Sequence, residues 1–141
     1  MSTLDTLIRL NRWKLDERRR QLGELERLFE RLGSEAVRLE EELTREQRIA
    51  GASLEAGYAY AGYARDLTAR RQKLAASISE VEGQLIVARE ALAESFGEVK
   101  RYEIAAANRQ KRDRAMVERR QRIVQDEVAL QVYRRRNAAR S

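Results

Sequence analysis

The chain is predicted to be all-α, a two-helix antiparallel coiled-coil hairpin whose longer second helix overhangs at the open end. Three observations predict this. The sequence has no proline, and 37% of its 141 residues are charged while 6% are aromatic. That composition suits long solvated helices better than a globular core. Two heptad series of apolar residues run along most of the chain, one on each side of a short region without the repeat. That region, "GASLEAGYAYAG" at residues 51 to 62, holds three of the seven glycines.

The first helix is expected over about residues 3 to 50. Ser2 followed by Asp5 has the form of a capping box, with Asp where Glu is more usual, so a helix can start almost at the terminus. With Leu15 at heptad position a, the series Ile8, Leu15, Leu22, Phe29, Ala36, Leu43 and Ala50 occupies a. Leu4, Asn11, Arg18, Leu25, Leu32, Leu39 and Glu46 occupy d. Gly51 is placed to stop this helix, and Ser53 to cap the next one. The second helix is expected over about residues 63 to 136. Its d series runs Leu67, Leu74, Val81, Ala88, Ser95, Tyr102, Arg109, Met116, Ile123 and Leu130. Its a series runs Ile78, Leu85, Leu92, Val99, Ala106, Asp113, Arg120 and Glu127. A strict seven-residue repeat implies a left-handed supercoil, and two such segments in one chain fold back most simply as a hairpin. The whole chain, 1–141, then forms a single coiled-coil domain that is monomeric on its own.

Two registers fit. One sets Phe29 opposite Val81 and Leu25 opposite Leu85; the other sets Phe29 opposite Ala88 and Leu25 opposite Leu92. Leu4 falls opposite Ala106 in the first and Asp113 in the second, so everything after about residue 116 is expected to overhang. A lone helix of some 20 residues is marginal in water. Its apolar positions, Val124, Val128 and Leu130 among them, either fray or await another protein. Charge gathers at the same place: residues 108 to 141 carry eleven Lys or Arg against four acids, a local excess of +7 in a chain whose net charge is +6. A basic helical end suits an acidic protein cavity, an anionic membrane surface or a nucleic-acid backbone. The sequence carries no nucleic-acid recognition motif, and the basic residues surround the helix instead of forming one face.

Catalysis finds little support. The chain has no cysteine and no histidine, which removes thiolate nucleophiles, imidazole bases and the usual zinc ligand sets. No phosphate-cradling GxxxxGK[ST] loop is present, and a two-helix rod offers no water-excluding cavity. The run Glu40, Glu41, Glu42 spreads around a helix, as a solvated face does. No catalytic residue, cofactor or metal site is expected. The N-terminus lacks the basic and apolar regions of a signal peptide, and no stretch approaches the ~18 apolar residues of a membrane span, so a cytoplasmic protein is expected.

Tyrosines cluster at the turn. Tyr58, Tyr60 and Tyr63 are three of the five in the chain, and Tyr63, Leu67, Arg70 and Leu74 succeed one another along one flank at helical spacing. Tyr60 and Leu67 also fit the internal seam. Tyr58 and Tyr63 suit either an interface or a cap on the hairpin end.

The segments "YAGYARDLTARRQKL", "LIVAREALAESFGEVKRYE" and "RRQRIVQDEVALQVYRRR" make the chain resemble the FliJ family of bacterial flagellar export proteins over essentially its whole length. The resemblance implies an antiparallel coiled coil similar to the central stalk of rotary ATPases, with no enzymatic activity of its own. It implies that the open end enters the hexameric flagellar export ATPase, and the charged and apolar residues of the overhang, Arg119, Arg120, Arg122, Val124, Val128, Leu130, Arg134 and Arg135, are then the expected contacts. It implies contact of the shaft and hairpin tip with the membrane export gate and with substrate chaperones, where Tyr63, Leu67 and Leu74 match the family's positions, and Tyr58 in the turn is an expected contact beside them. Arg70 departs from the family, where a small residue is more usual. The implied location is cytoplasmic and peripheral to the inner membrane at the export apparatus. The alternatives are the equivalent stalk of a virulence-type secretion system, a basic coiled coil that binds nucleic acid, and a dimerising scaffold.

Overall fold

The structure, a computed structural model, describes residues 2–140 and contains two helices. Helix α1 spans Thr3–Ala50 and α2 spans Leu54–Arg140, 48 and 87 residues long. The second helix is therefore the longer, as the heptads predict.

Both helix starts are capped by the residues that the sequence points to. The Asp5 amide donates to Ser2 Oγ at 3.1 Å, and the Ser2 amide donates to Asp5 Oδ2 at 3.3 Å, a reciprocal capping box. Hydrogen bonds from Ser2 hold the Asp5 carboxyl below its ordinary pKa. A carboxylate whose folded value is depressed contributes its stability above the ordinary value of about 4, and loses it as pH falls through the folded value. Ser2→Ala is expected to loosen the first turn of α1 by about 1 kcal/mol at neutral pH. Amide exchange of the first turn should then show less difference between variant and parent once Asp5 is protonated. Equal protection in the two proteins at neutral pH would refute the cap.

The joint is shorter than composition suggests. It occupies residues 51–53, and α2 begins at Leu54, well ahead of the expected start near residue 63. Ser53 explains this: its Oγ accepts the Ala56 amide at 3.1 Å, and its carbonyl accepts the Gly57 amide at 3.1 Å. Gly57 and Gly62 each cost a helix about 1 kcal/mol relative to alanine. Ala56, Ala59, Ala61 and Ala64 are the strongest helix formers and carry the segment nonetheless. Gly51 does come directly after the end of α1, but none of the described glycines has a positive φ. The stop is therefore a tightened turn, closed by the Ala52 amide on the Ile49 carbonyl at 3.1 Å, and not a left-handed cap.

Contacts divide the chain into two units, residues 11–97 and residues 1–10 with 98–141. In the first unit the helices pack antiparallel along the predicted seam. Leu15, Leu67, Val81 and Leu85 are buried, all at a or d positions. Most other seam residues, including Leu25, Phe29, Leu39 and Leu74, are half-buried, because two helices cover only one stripe of each other. Asn11, at d, is also buried, and no buried side-chain polar atom among the described residues lacks a hydrogen-bond partner. Arg18, the next d residue, stays exposed. The structure decides the register: the Arg71 guanidinium pairs with both Glu40 oxygens at 2.6 Å, and Leu32, Leu39 and Leu74 line one groove. These contacts match the pairing of Phe29 with Val81; the alternative would place Glu40 nearly two turns from Arg71.

In the second unit Ile8 and Val99 are buried, and Leu4, Tyr102 and Ala106 are half-buried. From residue 107 to 140 every residue is exposed. The overhang therefore begins at about 107 and not at about 116, as the first register requires once α1 starts at Thr3.

Candidate docking surfaces

The overhang, residues 107–140, is a helix with no other segment covering it. It stays helical through alanine, glutamate, glutamine and arginine, which lose little rotamer freedom in a helix, and through the absence of proline. Six of its apolar side chains stand more than half exposed: Met116, Val117, Ile123, Val124, Val128 and Leu130. The predicted residues Arg119, Arg120, Arg122, Val124, Val128, Leu130, Arg134 and Arg135 are thus all accessible. Helical spacing sets Val117, Val124 and Val128 on one flank and Met116, Ile123 and Leu130 on the adjoining one. Met116, Val117 and Ile123 complete an apolar stripe of which the predicted contact residues are only part. Val117 lies seven residues before Val124, and Met116, Ile123 and Leu130 succeed one another at seven, and that spacing is the signal that points to them.

The face near the turn lies in the unit 11–97 and is assembled differently. Leu54, Tyr58 and Ile49 are 79%, 76% and 57% exposed, in a stretch from 49 to 64 whose only charged residue is Glu55. Tyr63 is half-buried, and its hydroxyl donates to the Glu42 carboxylate across the two helices. That bond needs the phenol protonated, and it raises the Tyr63 pKa. Its contribution is present below the ordinary value of about 10 and is lost as pH rises through the folded value. Leu67 is 2% exposed and Leu74 half-buried. Leu67 therefore stands in the seam and presents no surface to a partner, which corrects its expected role as a contact residue. Of the predicted residues, Tyr58 is the one exposed on this face, beside Leu54 and Ile49.

The glutamate run has a structural use. Glu40 pairs with Arg71 and Glu42 accepts from Tyr63, so two of the three tie the helices together. Among the described residues no group of three or more His, Cys, Asp or Glu is placed to hold a metal ion. Nor, among the described residues, is any helix long and apolar enough to cross a membrane.

Seam, caps and exposed helix together define a coiled-coil protein with a long uncovered helix. A family model described as flagellar FliJ protein matches residues 1–138. The chain belongs to the FliJ family, coiled-coil proteins of flagellar protein export. No curated protein and no solved structure matches it.

Proposed function

We propose that the protein is the central stalk of the flagellar export apparatus, inserting its overhang into the export ATPase ring and linking that ring to the membrane export gate and substrate chaperones. The observation that carries this reading is the exposure of every residue from 107 to 140 on a helix bearing both an apolar stripe and an excess of positive charge. A helix exposed on all sides suits a ring lumen, which surrounds it, better than a flat surface, which meets one face. Arg119, Arg120, Arg122, Arg134 and Arg135 draw the helix toward an acidic lumen, and Val124, Val128 and Leu130 supply contact once it is inside. Its role is mechanical: it favours ring assembly and turnover while the ATPase does the chemistry. It acts in the cytoplasm, at the inner membrane through its partners. Turnover of the export ATPase, titrated with the intact protein, tests the ring contact.

Gate and chaperone binding belong to the face near the turn. Replacing Tyr58 and Tyr63 with Ser is expected to weaken binding to the export gate while helicity and thermal stability stay close to those of the parent. Tyr63→Phe separates the two contributions, since it keeps the ring and loses the bond to Glu42. A double variant that binds the gate as the parent does, but melts far lower, would show that these tyrosines only cap the hairpin.

A further inference from the structure

The overhang carries a charge pattern that the ring reading does not use. Asp113, Arg120, Glu127 and Arg134 succeed one another at intervals of seven, so they form one row along the helix, the continuation of heptad position a. Their signs alternate, minus, plus, minus, plus. Met116, Ile123 and Leu130 flank the row on one side and Val117 and Val124 on the other, all between 52% and 57% exposed.

Such a row is its own complement when reversed. Set beside a second copy in the same direction, it places Arg120 on Arg120 and Glu127 on Glu127. Turned end for end, it places Arg120 beside Glu127 of the second copy and Asp113 beside Arg134 of the second copy, each twice by symmetry. The same reversal brings Met116 beside Leu130 of the second copy and Ile123 beside itself. We infer that the overhang of one molecule pairs antiparallel with the overhang of another, through this apolar stripe and this alternating row. The two heptad registers nearest this alignment set a beside d, and they leave the opposite charges three or four residues out of step, about 4.5 to 6 Å along the axis. Between Met116 and Leu130 three basic and three acidic residues balance, so the centre of the paired segment is neutral, and from Asp113 to Arg134 the excess is only +1.

The pairing is weak and reversible by construction. Charges at core positions fix orientation at a cost in stability. Beyond that segment, Lys111 and Arg112 come opposite Arg136 and Arg135 of the second copy and oppose the contact. The expectation of a monomer rests on heptads that pair within one chain, and the overhang lies beyond them. Pairing hides the stripe while no other partner is bound, and a partner that needs the stripe must first separate the two copies.

Sedimentation equilibrium on the full chain tests this, with three variants of exposed residues that leave the seam untouched. The parent is expected to associate reversibly into dimers as concentration rises. Arg120→Glu and Glu127→Arg are each expected to weaken the dimer roughly tenfold or more, since each turns two attractions into repulsions. The two single variants mixed together, and the double variant alone, should regain dimerisation, because both restore every opposite pair. The chain has no cysteine, so introduced ones report orientation. Met116→Cys should crosslink with Leu130→Cys and not with itself. A parent that stays monomeric throughout overturns the inference, as do single variants that dimerise like the parent, a double variant that fails to recover, or Met116→Cys crosslinking to itself.

Discussion

Leu67→Ala is expected to destabilise the 11–97 hairpin by roughly 2 to 5 kcal/mol, the range for deleting a fully buried leucine. Leu67 is 2% exposed, the most deeply buried of the core side chains Leu15, Val81 and Leu85 beside which it ranks. The loss has two parts: the transfer free energy of the removed carbons, and the cavity that a seam only two helices wide cannot refill from a third direction. Few other terms compensate. The Arg71–Glu40 pair is close to half exposed on both sides, and such pairs contribute about 0 to 1 kcal/mol. Leu54→Ala, at a residue 79% exposed, is the control and should stay within about 0.5 kcal/mol of the parent. Thermal and urea unfolding monitored by circular dichroism measure both. A Leu67→Ala loss below about 1 kcal/mol would show that the seam tolerates a hole and that the pairing of Phe29 with Val81 is not the register that holds the hairpin together.

The sequence discloses as much as a heptad encodes. Periodicity reports which face of a helix is apolar, so Ile8, Leu15, Leu67, Val81, Leu85 and Val99 are assignable to the seam without coordinates, and all six are core. Caps are equally local: Ser2 with Asp5 and Ser53 with Ala56 need only neighbours three residues away. Register is not local. Shifting one helix by a heptad preserves the apolar match, and the deciding contact is specific polar pairing such as Arg71 with Glu40, which appears in no periodic signal. The joint looks too long in the sequence for a related reason. Three glycines in twelve residues suggest irregular chain, yet the summed helix preference of the alanines between them is the larger effect once Ser53 supplies a cap. The expected contact residues divide in the same manner. Those on the overhang are exposed, as their place beyond the paired heptads predicts. Leu67 fits both the seam and a partner contact by its spacing, and only its burial separates the two.

Deleting residues 117 to 141 is expected to abolish stimulation of the export ATPase while leaving the hairpin folded. The seam ends at Ala106, and every described residue removed is exposed, so no buried contact among them is lost. The melting behaviour of the remainder should match the parent. The truncation takes away Arg119, Arg120, Arg122, Arg134 and Arg135 together with Val124, Val128 and Leu130, so both the electrostatic approach and the apolar contact are lost. Binding of the intact protein should weaken as salt shortens the screening length from about 10 Å at 0.1 M toward about 3 Å at 1 M. The apolar contact should leave a residual affinity at high salt that an attraction to phosphates alone would not. The decisive measurement is a titration of intact and truncated chains against two partners, the ATPase and duplex DNA. Turnover that rises with the intact chain and not with the truncated one, with negligible binding to DNA, supports the stalk. Turnover indifferent to the truncation, beside DNA binding that depends on residues 117 to 141, would overturn it and identify the basic overhang as a nucleic-acid surface.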